Sequence, residues 1–164
     1  MTGVAASVDG VLVYVASPLG FTHPTKAWYD AVLLPALEAA GHVVLDPWSA
    51  SEDLFAGASD PASLAAANRE AAARNEQLLR DCDAVLAVLD GVDVDSGTAA
   101  EVGFAYALGK PVVGWRSDFR QAGDNAASVV NLQVEHFLSG PVCSELDEAL
   151  TRLPMSPAVS ERHT

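Results

Sequence analysis

The fold of this chain is read most directly from residues 84–105, AVLAVLDGVDVDSGTAAEVGFA. The first six of these residues are a short apolar run of strand length, and an acidic loop that contains glycine follows them. Residues 98–108 are apolar on nearly every face, which predicts a buried helix. A strand that leads through a loop into a buried helix is the repeating unit of α/β proteins, so this stretch predicts an α/β fold.

Similar segments recur along the rest of the chain. Short apolar runs predict further strands at residues 11–16, 42–46, 111–115 and, at an edge of the sheet, 133–138. Helical spacing and alanine-rich composition predict helices at residues 24–40, 62–81 and 144–153. This alternation predicts one open, mostly parallel five-stranded sheet with helices on both faces. We expect a single domain over residues 1–153 and a C-terminal tail over residues 154–164.

The charge and composition of the chain narrow its partners. A formal net charge of -13, without any cluster of Lys and Arg, disfavours nucleic acid and anionic membranes. No apolar run reaches the roughly 18 residues of a membrane span, and residues 1–10 lack the basic start of a signal peptide. Cys82, Cys143 and the four histidines show no metal-ligand spacing. We therefore expect a cytoplasmic protein without a metal site.

The carboxyl ends of the predicted strands are where we expect a ligand, because open α/β sheets bind ligands there. Three loops follow predicted strands at this edge, over residues 17–24, 46–61 and 90–98. They are therefore expected to face one site. The third loop holds Asp93 and Asp95. Acidic residues before helices are commonly N-caps or solvated turns, and we favour that interpretation for Asp93.

Glu101 is a carboxylate within the predicted buried helix, and a buried carboxylate needs a partner or a function. One interpretation is a capping box, in which Glu101 reaches back to the amide of Thr98. The other is a nucleophile kept ionised by the helix N-terminus, with Gly97 and Gly103 leaving room for a substrate or neighbouring backbone. Asp95 lies six residues earlier, across the turn, and is expected to converge on the same pocket. Paired carboxylates of this kind flank the scissile bond in glycosyl transfer.

Four stretches of the chain carry a further signal. They are residues 14–18 (YVASP), 75–85 (NEQLLRDCDAV), 95–103 (DSGTAAEVG) and 131–135 (NLQVE), and the third is continued by Ala105, Ala107, Lys110 and Pro111. Together, and in this order, they resemble the nucleoside 2-deoxyribosyltransferase family. The resemblance covers roughly residues 11–138.

The resemblance implies a flavodoxin-like (Rossmann-like) fold and a retaining transfer in two steps. Position by position, Glu101 matches the nucleophile that attacks the anomeric carbon, Asp95 the acid that assists departure of the base, and Tyr14 the tyrosine beside the nucleophile. Asn131 matches a residue that reaches into the adjacent subunit's pocket. Asn75 stands where some members have an aspartate near the ribose, and an amide cannot exchange protons as an acid does.

The residues expected to bind substrate lie around these groups. Trp48 is a candidate for stacking on a base, and a core or edge position is an equal alternative. Tyr14 and Asn131 have structural alternatives too, as a strand aromatic and as a turn cap. The full set of expected substrate-binding residues is Ser17, Pro18, Asp46, Trp48, Asn75, Gly97 and Asn131.

The function implied by the resemblance is exchange of the base of a deoxynucleoside. A 2-deoxyribosyl group passes between purine or pyrimidine bases through an ester with Glu101, and water gives slow hydrolysis as a side reaction. No cofactor is expected, since the chain has neither a P-loop nor a dinucleotide-binding motif. The expected partners are deoxynucleosides and free nucleobases. The resemblance also implies a homo-oligomer, dimer or higher, with sites shared across subunits.

Three alternatives stay open at this point. The first is an N-glycoside hydrolase acting on (deoxy)nucleoside 5′-monophosphates, for which Arg116 and Arg120 are the only basic pair near a strand end. The second is a phosphoribohydrolase of the cytokinin-activating type, but its motif begins with glycines that residues 94–98 lack. The third is a module that binds nucleosides without turning them over.

Overall fold

A computed structural model describes residues 10–155 of the chain. Residues 1–9, where we expect no signal peptide, and residues 156–164 of the expected tail lie outside the described residues. Within residues 10–155, no helix is long and apolar enough to cross a bilayer.

Four parallel strands form the sheet, in the order β2-β1-β3-β4. They are β1 (Val11–Ala16), β2 (His42–Leu45), β3 (Ala84–Val88) and β4 (Val112–Trp115). Each falls on an apolar run that predicts a strand. Every residue of β3 is buried, as is usual for a parallel strand covered by helices on both faces. The predicted α/β class with a parallel sheet is confirmed.

In the described part of the chain, seven helices connect and flank the strands. Between β1 and β2, α1 (His23–Trp28) continues through a π-helical turn (Tyr29–Leu33) into α2 (Leu34–Ala39), so the predicted helix over residues 24–40 is present in three parts. The other helices are α3 (Glu52–Phe55), α4 (Pro61–Asp81), α5 (Ser96–Ala107), α6 (Leu132–Phe137) and α7 (Leu146–Arg152).

The side chains of β1 alternate between two buried layers, because successive residues of a strand point to opposite faces. Val13 and Val15 pack with residues of the π-helical turn, α2 and α7. Tyr14 and Ala16 pack on the other face with residues of α4, α5 and α6. This alternation places the one polar side chain of β1, that of Tyr14, under α5.

The prediction of a fifth strand over residues 133–138 is wrong, because this segment is α6. The Asn131 side chain accepts a hydrogen bond from the amide of Gln133 at 2.9 Å and so caps the helix. The position beside β4 is taken instead by a single parallel bridge between Trp115 and Cys143. Two backbone hydrogen bonds of 2.9 Å hold this bridge, on either side of Trp115. The sheet therefore has four strands.

The carboxyl ends of β2, β1 and β3 lie side by side, and the loops that follow them are more regular than the sequence predicts. The loop after β1 begins with a 3₁₀ turn, Pro18–Phe21. Residues 46–61, expected to be irregular, contain a second 3₁₀ turn, Ser49–Ser51, and the short helix α3. These turns fix the direction of side chains at the edge of the sheet where a ligand is expected.

Candidate active site

A cleft of about 820 Å³ opens at the carboxyl edge of the sheet. Its lining comes from the loops after β1, β2 and β3, from one face of α1 and α2, and from α4 and α5. Seven of the residues expected to act in catalysis or binding line it: Ser17, Asp46, Trp48, Asn75, Asp95, Gly97 and Glu101.

Glu101, which is partly buried, and Tyr14, which is fully buried, form a hydrogen-bonded pair at the base of this cleft. On α5, Thr98, Glu101 and Ala105 are three and four residues apart, so they share the face that packs on the sheet. Tyr14 is 0% exposed on β1. Its hydroxyl donates to Glu101 Oε1 at 2.6 Å. The pair joins a helix to a strand across 87 positions of sequence.

The pKa of Glu101 is set by opposing effects of its surroundings. The net effect raises the pKa from 4.5 to about 7: burial, the largest cause, raises it, the Tyr14 hydrogen bond lowers it, and the nearby Asp95 charge raises it. Burial, followed by the Glu101 charge, raises the pKa of Tyr14 well above its usual range. Tyr14 therefore keeps its proton and serves as a donor, while Glu101 changes between acid and carboxylate near neutral pH.

The capping box between Thr98 and Glu101 does not form. Helix α5 begins at Ser96, and the residue that caps it is Asp95, whose Oδ2 accepts from the Thr98 amide at 3.0 Å. Glu101 lies beyond the first turn and points to Tyr14 rather than back to its own backbone. Asp95 thus combines a structural contact with a position in the cleft. Asp93 does not line the cleft, and its side chain accepts from the Val94 amide.

Trp48 forms one wall of the cleft. Its indole Nε1 donates to the Ser17 carbonyl at 3.3 Å, and its ring meets Phe21 edge-on at 4.8 Å. Gly20 lies directly beneath the ring, where a Cβ atom would approach the indole to 2.2 Å. Absence of a side chain at Gly20 therefore allows this wall to form.

Asp46 holds the turn that carries Trp48. Its carboxylate accepts from the amides of Trp48 and Ser49, at 3.0 and 3.1 Å. The hydroxyl of Tyr29, which is 0% exposed, donates to the same carboxylate at 2.7 Å. Asp46 thus lines the cleft as predicted, but three donors of the protein already occupy its oxygens.

Three of the ten expected residues do not line the cleft. One of them, Tyr14, is fully buried and reaches the cleft only through its hydrogen bond to Glu101. Pro18 begins the 3₁₀ turn after β1, and Asn131 caps α6. Within this single chain, Asn131 therefore does not reach the cleft.

Comparison with known protein families shows which family the chain belongs to. Residues 13–137 match the family described as Nucleoside 2-deoxyribosyltransferase. The chain belongs to this family. Its core, from the second half of β1 to the end of α6, is what the family shares. No curated protein matches the chain.

Solved structures with the same fold include members with transferase and glycosidase descriptions. A 2-desoxiribosyltransferase from Leishmania mexicana is 20% identical with a TM-score of 0.61, covering 94% of this chain and 99% of its own. A 2-deoxyribosyltransferase from Bacillus psychrosaccharolyticus is 20% identical with a TM-score of 0.60, covering 89% and 98%. A CMP N-glycosidase from Clostridium botulinum is 16% identical with a TM-score of 0.53, covering 86% and 96%. At these identities the likeness shows a common fold.

Several residues that line the cleft of this family member were not predicted from the sequence. Lys26, Asp30, Leu34 and Glu38 line one side, and their spacing of four residues is the signal of a single helix face. Lys26 Nζ pairs with Asp30 Oδ2 at 2.7 Å. Ser51 also lines the cleft, but a serine in a polar loop gives no sign in the sequence that it is buried.

Arg116 and Arg120, the basic pair on which the 5′-monophosphate alternative depends, do not line the cleft. The guanidinium of Arg116 is buried and donates to the carbonyls of Leu89, Gly91 and Arg120. Arg120 pairs with Asp118. Both side chains therefore order the loops after β3 and β4.

The raised pKa of Glu101 predicts an effect on stability. A carboxyl group with a higher pKa in the folded chain binds more protons when folded, so the free energy of unfolding falls as pH rises from about 4.5 to about 7. Glu101→Gln removes this loss while keeping an acceptor for Tyr14. The free energy of unfolding of the variant, relative to that of wild type, should increase by on the order of 3 kcal/mol between about pH 4 and pH 8.

Denaturant unfolding across this pH range measures the gain. Glu145→Gln, at an exposed glutamate, is the control and should show no such trend. If the difference in the free energy of unfolding between Glu101→Gln and wild type does not change with pH, the pKa of the Glu101 carboxyl group is not raised by folding.

Proposed function

We propose that the protein transfers a 2-deoxyribosyl group between purine or pyrimidine bases through a covalent intermediate on Glu101. The observation that carries this proposal is the hydrogen-bonded Tyr14–Glu101 pair at the base of the cleft. A carboxylate held in a fixed orientation, with a pKa near 7, is half ionised at neutral pH and available as a nucleophile. Family membership supports the same chemistry.

In the first step, a Glu101 carboxylate oxygen attacks the anomeric carbon of a deoxynucleoside. The new carbon–oxygen bond forms as the carbon–nitrogen bond to the base breaks, through an oxocarbenium-like transition state. The base leaves with the electron pair of the broken bond and takes up a proton from the Asp95 side. Tyr14 orients the carboxylate and lowers its pKa by donating a hydrogen bond.

In the second step, a nitrogen of a second base attacks the anomeric carbon of the ester. The carbon–oxygen bond breaks, Glu101 recovers its carboxylate, and the incoming nitrogen passes its proton to the carboxylate of Asp95, which gave up a proton in the first step. Two inversions give overall retention, so the product is again a β-nucleoside. Water in place of the second base gives free deoxyribose and restores Glu101, which is the hydrolytic side reaction. No cofactor takes part in this scheme.

The charge of the cleft favours an uncharged nucleoside over a 5′-monophosphate. Lys26 is the only basic residue among the described residues of the lining, and it is paired with Asp30. The acidic residues of the lining are Asp30, Glu38, Asp46, Glu52, Asp95 and Glu101. A phosphate dianion would meet a repulsive field there. A glycosidase acting on nucleoside monophosphates therefore remains the second candidate.

We also propose that the active unit is a homo-oligomer in which Asn131 completes the cleft of a neighbouring copy. Exposed apolar side chains surround α6 and its partner α5: Tyr106 is 46%, Val129 47% and Leu132 57% exposed. Such a cluster is typical of an interface. The resemblance to the family supports the same arrangement, because Asn131 matches a residue that reaches into the adjacent subunit's pocket.

A role in nucleoside salvage in the cytoplasm fits the proposed reaction. Cys82 and Cys143 are both free and buried, as expected of a protein from a reducing compartment. Fractionation of cells that express the protein would test the location.

Exchange can be measured directly by incubating the protein with 2′-deoxyinosine and either adenine or cytosine. Chromatography should show the new deoxynucleoside as the main product and free deoxyribose as a minor one. Glu101→Ala should lower the rate by at least roughly a thousandfold, since it removes the nucleophile. Replacing 2′-deoxyinosine by its 5′-monophosphate should lower the rate, and a faster reaction with the monophosphate would favour the glycosidase. If the wild-type protein shows no exchange with any combination of donor deoxynucleoside and acceptor base, the transferase is ruled out.

The pH dependence of kcat/KM for the deoxynucleoside reports the ionisation of Glu101. The rate should rise with pH through about 7 in the wild type. Tyr14→Phe removes the hydrogen bond that lowers this pKa, so the rise should move to higher pH. At neutral pH the rate should fall roughly tenfold or more, because hydrogen bonds to charged groups contribute about 1.5–3 kcal/mol.

Tyr29→Phe is the matched control for Tyr14→Phe, because Tyr29 is as deeply buried but donates to Asp46. It should leave the position of the rise unchanged. A Tyr14→Phe profile that superposes on that of the wild type would show that the Tyr14–Glu101 bond does not control the nucleophile.

Subunit mixing tests the shared site. Glu101→Ala and Asn131→Ala should each be nearly inactive alone, and mixed oligomers should regain activity because one cleft then has both residues. For a dimer of freely exchanged subunits, the recovered rate is roughly a quarter of the wild-type rate. No recovery after verified exchange would place Asn131 outside the partner's site.

A further inference from the structure

Two oxygen atoms in the cleft are buried and have no hydrogen-bond partner. Ser51 is 7% exposed, and its Oγ is unpartnered. Asn75 Oδ1 is likewise buried without a partner. Both residues line the cleft. Since a buried polar atom without a partner costs free energy, such atoms in a cleft indicate the position of a ligand group.

The two residues approach the cleft from different elements. Trp48 is the residue that precedes the 3₁₀ turn and Ser51 is the last residue of the turn, three positions later, and side chains at this spacing in a 3₁₀ turn lie above one another. Ser51 is therefore on the same side of the turn as the indole wall. Asn75 follows Ala71 by one turn of α4, and both line the cleft.

Other contacts hold the Ser51 turn in place without using Ser51 itself. Arg74, on α4, donates to the Ala50 carbonyl at 2.8 Å and pairs with Asp53 at 2.7 Å. Asp46 accepts two amides at the start of the same turn. Ser49, next but one to Ser51, donates its hydroxyl to the Asp46 carbonyl at 3.2 Å. The turn is therefore held by its neighbours, and Ser51 Oγ takes no part in its hydrogen bonds.

We propose that Ser51 and Asn75 form a subsite that binds the exocyclic amino group of a nucleobase, as in adenine or cytosine. This inference rests on the proposed function. The Asn75 amide oxygen requires a hydrogen-bond donor and the Ser51 hydroxyl can accept one, and one amino group provides two N–H donors. Neither residue is charged, which matches a neutral group rather than a phosphate or an ammonium. A base stacked on Trp48 presents its edge toward Ser51. The pair therefore selects the base, whereas Glu101 and Asp95 act on the bond to the sugar.

Equilibrium binding tests the subsite independently of turnover. The Glu101→Gln variant is titrated by calorimetry with 2′-deoxyadenosine and with purine 2′-deoxyriboside, which lacks only the amino group. Adding Ser51→Ala should weaken binding of 2′-deoxyadenosine roughly 3- to 10-fold, the usual effect of one hydrogen bond. Binding of purine 2′-deoxyriboside should change less than about twofold, because it has no group for the subsite. Adding Asn75→Ala should have the same selective effect.

Ser49→Ala in the same Glu101→Gln protein is the matched control. Ser49 also lines the cleft, but its hydroxyl is bound within the turn. It should weaken both ligands equally or neither. Equal weakening of both ligands by Ser51→Ala, no weakening of either, or no binding of 2′-deoxyadenosine to the Glu101→Gln protein would overturn the subsite. Failure of the proposed function appears separately, as absence of exchange by the wild type.

Discussion

The hydrogen bond from Tyr14 to Glu101 is the constraint on which the site depends. It requires a carboxylate on the sheet-facing side of a helix to meet a hydroxyl on a buried strand. Burial alone would keep the carboxyl group protonated at neutral pH, and the donated hydrogen bond opposes that effect. The result is a carboxyl group that is neither permanently charged nor permanently neutral. Formation of the pair also requires α5 to lie directly over β1, so the chemistry and the packing of the sheet are coupled.

A second buried tyrosine repeats this arrangement for a different purpose. Tyr29 lies on the opposite face of the sheet from Tyr14 and donates to Asp46. Asp46 then accepts the two amides that shape the turn after β2. One tyrosine thus lowers the pKa of Glu101, whereas the other anchors the wall that carries Trp48 and Ser51. Together they fix the positions of the sugar end and the base end of the cleft in the proposed complex.

Much of this arrangement can be predicted from the sequence, and the failures have physical causes. The apolar runs predict the strands because β1, β3 and β4 are almost wholly buried, whereas β2 is partly exposed at the edge of the sheet. Asp95 and Glu101 both line the cleft. Residues 133–138 are too few to separate a period of two from one of 3.6, so a single cap at Asn131 decides for helix. The choice between a capping box and a nucleophile depends on where α5 begins, and helix ends are set by side-chain caps that the apolar pattern does not contain. Ser51 is buried by the tertiary packing of a polar loop, and hydrophobic periodicity does not predict such burial.

The central claim is that Glu101 becomes covalently bonded to the sugar. The most direct measurement mixes the protein with excess 2′-deoxyinosine, without an acceptor base, and stops the reaction with acid within one turnover. Mass spectrometry of the intact protein and of its peptides then locates any added group. The account predicts a mass increase of one deoxyribosyl group, confined to the peptide that contains Glu101 and absent from Glu101→Gln. Release of hypoxanthine without an adduct, or an adduct on another residue, would contradict it.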